Sequence, residues 1–335
     1  MTRRTIIGAA AALLLLATGC GSNPEVLAPP ETSRRVAPDT PLVLAQLDRG
    51  VGAVPVGSDD PRWADPSAVA ALDGSAVFSI RRSAGGADLA RLDPDTGDAI
   101  SSWPLPSGMA TIGAVSPGGR WVALTDGPQA YTPGAPRSAT QLAVFDPRAG
   151  AETRRLDLRG DIRPEAFSVD GTSLFALDYR GDSYRVQTIY LETGEQYDTT
   201  SRDKTVERDD MYGTSVRAVL SADKTLLSTL YRNPDPGEPA FVHILDLRHG
   251  WAYCADLTPP FGTGPEGSDR IEMTPAGTVV VAATQADRIA EIHIEEVHEP
   301  SDKPVTVEYR DGTLPPTQPA FDGTTGFAQV IATLG

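Results

Sequence analysis

Ala114-Val115-Ser116-Pro117-Gly118-Gly119-Arg120-Trp121-Val122-Ala123 reads as an apolar strand, a four-residue bend and a second apolar strand. Proline presets a turn dihedral, and glycine takes the positive φ that a tight reversal needs. The same device returns at Leu72-Asp73-Gly74, Ser168-Val169-Asp170-Gly171, Ser221-Ala222-Asp223-Lys224, Thr274-Pro275-Ala276-Gly277 and Phe321-Asp322-Gly323. The spacing is about 50 residues, the range of a propeller repeat. A second series of bends interleaves with it: Leu47-Asp48-Arg49-Gly50, Leu92-Asp93-Pro94-Asp95-Thr96-Gly97, Phe145-Asp146-Pro147-Arg148-Ala149-Gly150, Leu191-Glu192-Thr193-Gly194 and Leu245-Asp246-Leu247-Arg248-His249-Gly250. A sixth, near Ile294-Glu295-Glu296, is degenerate. No helical period is sustained after Pro41, so the chain is all-β, with four short strands per repeat.

The phrases at 114–123 and 92–97 resemble the YVTN and WD40-like (TolB-type) bacterial propeller repeats, and the resemblance covers about residues 41–335. It implies a β-propeller and says almost nothing about function, because such repeats serve scaffolds, sensors and enzymes alike. Five full repeats lie between the ends. Residues 41–56 hold an outer strand pair, and residues 317–335 an inner pair with Phe327-Ala328-Gln329-Val330-Ile331-Ala332 as its second strand. Two halves make a sixth blade, so we expect a six-bladed propeller closed by pairing of N- and C-terminal strands, with seven blades the alternative. Closure removes the open sheet edges that invite aggregation.

Composition fits this reading. The chain has 32 glycines and 29 prolines, and 40% apolar residues supply a core. Its net charge of −16 argues against nucleic acid, which is bound by basic stripes that neutralise phosphates.

The N-terminus gives the address. Arg3 and Arg4 precede an apolar run from Ile6 to Ala17. That run is shorter than the roughly 20 residues a membrane-spanning helix needs, so it reads as a secretory leader. Ala17-Thr18-Gly19-Cys20 resembles the bacterial lipobox, with Ala17 where leucine is usual. The resemblance implies a signal peptide over 1–19, a diacylglyceryl group on Cys20, and a cell-membrane lipoprotein facing outward from the cytoplasm. Two acyl chains, at about 0.8 kcal/mol per buried methylene, anchor stably where one is marginal. Thr2-Arg3-Arg4-Thr5-Ile6-Ile7 also resembles a twin-arginine export signal, so the export route stays open. Residues 20–40, with Pro24, Pro29, Pro30 and Pro38, form a tether; 20 residues at roughly 3.1 Å each reach about 60 Å. Cys254 is the other cysteine, and with Cys20 lipidated it reads as a buried, inert thiol.

Turns joining the first to the second and the third to the fourth strand of each repeat are tight. The opposite ends hold the long connections: Thr125–Thr140, Tyr197–Thr214, Tyr231–Pro239 and Leu257–Ser268. Long loops on one face of a rigid scaffold are where binding concentrates. Aligning inner strands on their turns puts Ser67, Ile112, Pro164, Arg217 and Arg270 at one level near that face. Small residues (Ala68, Gly113, Ala166, Ala218) recur where strands crowd the axis. Arg217 and Arg270, with Glu165 and Glu272 close by, are the candidate ligand-binding residues: a mouth for an anionic or zwitterionic group, or a structural ion-pair cluster.

Arg159-Gly160-Asp161 and Arg180-Gly181-Asp182 resemble the integrin-binding tripeptide, but common turn residues account for both. On a strand, His293 and His298 point to opposite faces and share no metal. Asp209 and Asp210 lie in a mixed-charge stretch that reads as a solvated loop, with weak calcium binding the other reading. No nucleophile elbow, phosphate loop or dinucleotide fingerprint is present, so no cofactor and no catalytic residue is expected.

The expected function is a membrane-anchored extracytoplasmic binding or assembly module that uses its long-loop face. Its partners are the membrane, through the N-terminal lipid, and an envelope protein or small ligand. Two alternatives stand beside it. One is a hydrolase resembling the lactonase-type propellers, which gather carboxylate and amide ligands around a channel metal. The other is a structural scaffold of an envelope complex.

Overall fold

Side-chain oxygens in the bends set the strand register. Ser116 accepts from Trp121 N through its hydroxyl at 2.8 Å while Ser116 N donates to Trp121 O, which locks one hairpin. Ser168 does the same with Ser173, and Ser221 Oγ accepts from both Thr225 N and Leu226 N. In the second series an aspartate caps its own turn. Asp93 Oδ1 accepts from Asp95 N and Thr96 N, Asp146 Oδ1 from Arg148 N and Ala149 N, and Asp246 Oδ1 from Arg248 N and His249 N. A fixed acceptor two or three residues back is what makes aspartate a turn former.

The computed structural model describes residues 40–47, 50–56, 58, 60–127, 135–201, 210–233, 240–263, 269–283, 286–294, 305–313 and 329–334. The leader, Cys20 and nearly all of the tether lie outside these residues. Pro38–Gly335 forms one compact unit. Among the described residues no helix is long and apolar enough to cross a membrane.

The unit is all-β. β1 (Leu42–Gln46), β2 (Val51–Pro55) and β3 (Trp63–Asp65) belong to a first sheet. The second sheet runs β4 (Val69–Ala70), β5 (Val77–Ser83), β6 (Gly86–Leu92), β7 (Ala99–Pro104). The third runs β8 (Thr111–Val115), β9 (Val122–Thr125), β10 (Ala139–Asp146), β11 (Ala151–Arg159). The fourth runs β12 (Asp161–Phe167), β13 (Ser173–Tyr179), β14 (Tyr184–Tyr190), β15 (Gln196–Asp198). A short β16 (Thr200–Ser201) then leaves the fourth sheet. The fifth runs β17 (Thr214–Leu220), β18 (Leu226–Arg232), β19 (Phe241–Asp246), β20 (Trp251–Asp256). The sixth runs β21 (Asp269–Met273), β22 (Val279–Ala283), β23 (Arg288–Ile294), β24 (Val305–Asp311).

The last strand, β25 (Gln329–Leu334), returns to the first sheet and pairs antiparallel with β1, giving the order β25-β1-β2-β3. These six antiparallel sheets fit a six-bladed β-propeller. Two features depart from the sequence reading. The N-terminal segment supplies three strands to the first sheet, because Trp63-Ala64-Asp65 adds β3 to the expected pair. Gly50 lies against Asp65 and Pro66, so the first bend shares an end with the β3–β4 connection and does not belong with the tight outer turns. The second departure is β16, which pairs in parallel with β20 and gives the fifth sheet an extra strand.

The core lies in the layers between sheets, where both faces of each sheet are apolar. Phe78, Leu89, Val122, Leu124 and Phe145 fill the layer between the second and third sheets; Leu142, Phe167, Leu174 and Ile189 fill the next. Val242, Ile244, Ile271, Val279 and Val281 join the fifth sheet to the sixth. The first strands stand side by side, β4 against β8, β8 against β12, and β17 against β21.

Candidate functional site

The tight-turn ends are laced together. Lys224 Nζ reaches Asp73 Oδ2 at 2.7 Å, joining the inner bend of the fifth sheet to that of the second, and Leu72 packs against the cluster between the fourth and fifth sheets. Ser75 Oγ accepts from Gly118 N at 2.7 Å, joining the second sheet to the third. Burial raises the Asp73 pKa, but the Lys224 and Ser75 hydrogen bonds outweigh it and hold the carboxyl below its ordinary value.

The side expected to be tight is not uniformly so: Ile294 to Val305, between the third and fourth strands of the sixth sheet, is a long connection too. The opposite ends carry the connections Thr125 to Ala139, Ser201 to Thr214, Arg232 to Phe241 and Asp256 to Asp269. The middle of each lies outside the described residues. The strand ends there are bound by ion pairs. Arg137 joins Asp126 at 2.8 Å and Asp161 at 3.3 Å, and Arg180 joins Asp178 at 2.8 Å. Arg185 holds both Asp198 and Asp210. Asp161 and Gly160, part of the first Arg-Gly-Asp stretch, are thereby tied into a buried turn, with Asp161 only 2% exposed. Asp209 lies outside the described residues, as does His298.

Arg217, Arg270 and Glu272 come together on the neighbouring first strands β17 and β21. Strand alternation puts Arg270 and Glu272 on one face, and Arg270 Nη2 meets Glu272 Oε1 at 2.5 Å. The Arg217 guanidinium is pushed below its ordinary pKa by burial and by the Arg270 charge, with Glu272 acting the other way. Arg217 Nε is buried and makes no hydrogen bond. Among the described residues two guanidiniums therefore face one carboxylate, a local positive excess in a chain of net charge −16. Forked guanidinium donors match carboxylate and phosphate oxygens.

Glu165 goes elsewhere. A bulge between Pro164 and Ala166 adds a residue to β12, and the Glu165 carboxyl enters the layer between the fourth and fifth sheets. There Thr229 Oγ1 donates to Glu165 Oε1 at 3.4 Å, and burial pushes the pKa up to about 7. The β17 bulge falls nearer its strand's start, between Ser215 and Arg217, whereas β21 has no bulge. Counting from the turns therefore does not align side-chain direction across the first strands, since each bulge re-aims what precedes it.

Arg163 was missed by that count. It sits on β12, its guanidinium 5.1 Å from the Tyr179 ring centroid and its Nε 3.7 Å from Asp161 Oδ1. Arginines thus stand on the first strands of three consecutive sheets. The signal was available as Arg163, Arg217 and Arg270 each lying within four residues of a strand start.

No protein-family model and no curated protein matches the sequence. Solved structures do. TolB from Acinetobacter baumannii is similar with 16% identity and a TM-score of 0.42, over 73% of this chain and 61% of that one. The chain thus spans about three fifths of that TolB's length. The Cps50 (Swd1) β-propeller domain of Myceliophteria thermophila is similar with 15% identity and a TM-score of 0.42, over 72% and 69%. A TolB-like structure from Agrobacterium tumefaciens is similar with 15% identity and a TM-score of 0.38, over 88% and 89%.

Among the described residues no group of three or more His, Cys, Asp and Glu is placed to hold a metal. Of the two first-strand glutamates, Glu272 is engaged by Arg270, whereas Glu165 accepts one bond from Thr229 and its Oε2 is buried without a hydrogen-bond partner. The arrangement is suited to holding an anionic group.

Proposed function

We propose that this chain is a lipid-anchored, extracytoplasmic six-bladed propeller that serves as a binding or assembly module. The ring closes at the β25–β1 seam, and the long-connection face takes an anionic group from an envelope protein or small ligand. The observation that carries this reading is the positive excess at Arg217 and Arg270 on adjoining first strands. The lacing of the opposite end by Lys224 and Asp73 supports entry from the long-connection side.

Inorganic phosphate and citrate are the probes. Each is expected to raise the melting temperature of the protein, and Arg217→Ala with Arg270→Ala is expected to remove that rise while leaving the ligand-free melt sharp. If the double alanine variant fails to fold, Arg217→Gln alone carries the test. A rise that survives in the variants, or the absence of any rise in the wild type, contradicts the proposal.

The anchor has its own test. Cys20→Ser is expected to move the protein from the membrane fraction to the soluble fraction; full membrane retention of the variant removes lipidation from the account.

A further inference from the structure

The layer between the fourth and fifth sheets is mostly apolar, but besides Glu165 of the fourth sheet it holds one row of polar side chains on the fifth. Cross-strand register places Ala218, Thr229, His243 and Cys254 side by side on β17, β18, β19 and β20. Around them pack Leu227, Tyr231, Leu245, Phe175 and Tyr184. His243 is 1% exposed, and neither ring nitrogen has a hydrogen-bond partner. A buried imidazole with both nitrogens unsatisfied is costly unless something else engages it. Its neighbour in the row, Cys254, has its Sγ 3.5 Å from Met211 Sδ. Met211 is held there by a main-chain bridge, its N donating to Tyr184 O at 2.8 Å and its O accepting from Tyr184 N at 2.9 Å.

We propose that His243, Cys254 and Met211 form a binding site for a soft monovalent metal ion, copper(I). Directly opposed residues on antiparallel strands have Cβ atoms about 4.5–5.5 Å apart, so a thiolate and an imidazole nitrogen reach one ion from His243 and Cys254. The Met211 thioether completes a three-coordinate set. Thiolate and thioether ligands select copper(I), whereas calcium and magnesium require oxygen. Burial supports the ligand role by lowering the His243 pKa to about 4, which leaves a lone pair on the ring at neutral pH. Binding displaces the thiol proton: Cys254–SH and Cu⁺ give Cys254–S–Cu and H⁺, with no change of oxidation state. Both sulfur-bearing residues are half-buried, which leaves the ion a way in. Tyr231 meets the His243 ring edge-on at 6.2 Å and holds its orientation.

The test uses the full chain carrying Cys20→Ser, so that Cys254 is its one thiol. Copper(I) is titrated anaerobically against bathocuproine disulfonate, and the bound ion is examined by X-ray absorption. The expected result is one equivalent per chain with two sulfur and one nitrogen neighbours. Met211→Leu and His243→Gln should each weaken binding at least tenfold, and Cys254→Ser should abolish it. Met211→Leu keeps the volume of a half-buried side chain, so it decides the matter if His243→Gln does not fold. Failure to compete with the chelator, unchanged affinity in Met211→Leu, or a copper spectrum lacking a nitrogen neighbour would overturn the proposal.

Discussion

Deletion of residues 326–335 is expected to abolish cooperative folding. β25 pairs with β1 along its whole length, from Leu42 opposite Leu334 to Gln46 opposite Gln329. Leu42, Val43, Leu44 and Ala45 of β1 are all at most 5% exposed. β2 still pairs with the other side of β1, but removing β25 leaves those N–H and C=O groups of β1 that face it without partners, each lost hydrogen bond costing roughly 0.5–1.5 kcal/mol and each stranded group more. Several such losses approach the roughly 5–15 kcal/mol that holds a domain together. The bared edge also becomes a template for aggregation. The measurement is a calorimetric melt of the truncated chain. A broad or absent transition is expected, and an unchanged sharp one would show that the last strand contributes little.

Gly171→Ala has the next largest expected effect, a destabilisation of roughly 2–5 kcal/mol from the sum of backbone strain and overpacking. Gly171 has φ +71°, where an L side chain is strained, and a Cβ there falls 2.0 Å from Trp121 Cζ3 and 2.3 Å from Cη2. Trp121 cannot easily retreat. Its ring lies 6.2 Å from that of Phe167, inside the layer between the third and fourth sheets, with Arg120 4.1 Å above it. Gly277→Ala is the control: it occupies the matching turn at φ +88° with nothing within 4 Å of the new methyl. It should therefore show the backbone strain alone, about 1–2 kcal/mol. Urea midpoints of the two variants separate the terms, and equal midpoints would mean that Trp121 gives way freely.

The bends were the legible part of the fold, because each carries its own chemistry. Ser116, Ser168 and Ser221 hold their hairpins, and Asp93, Asp146 and Asp246 cap theirs, through atoms that belong to the turn itself. β3 was not legible. Three residues, Trp63-Ala64-Asp65, show no alternation, and what fixes them is distant: Trp63 Nε1 donates to Pro94 O at 2.9 Å, and its ring covers Gly97 in the next sheet. The candidate site was legible in part. Arg217, Arg270 and Glu272 are brought together by the adjoining first strands, while the bulge at Glu165 redirects that side chain toward Thr229. A bulge adds one residue without a residue-type signature of its own, so spacing from a turn cannot register it. The row of His243 and Cys254 depends on pairing across the fifth sheet, and Met211 joins it from a separate segment that no turn spacing relates to those strands.

The most direct test of the account is a disulfide across the seam. Gln46 and Gln329 are register partners on β1 and β25. Opposed Cα atoms in an antiparallel pair lie about 4.5–5.5 Å apart, within the range a disulfide spans. In a chain carrying Cys20→Ser and Cys254→Ser, Gln46→Cys with Gln329→Cys should oxidise to an intramolecular bond in the monomer under mild conditions, read by mass spectrometry of the linked peptides. Two thiols that both remain open to alkylation in a folded monomer would contradict a ring sealed by its first and last strands.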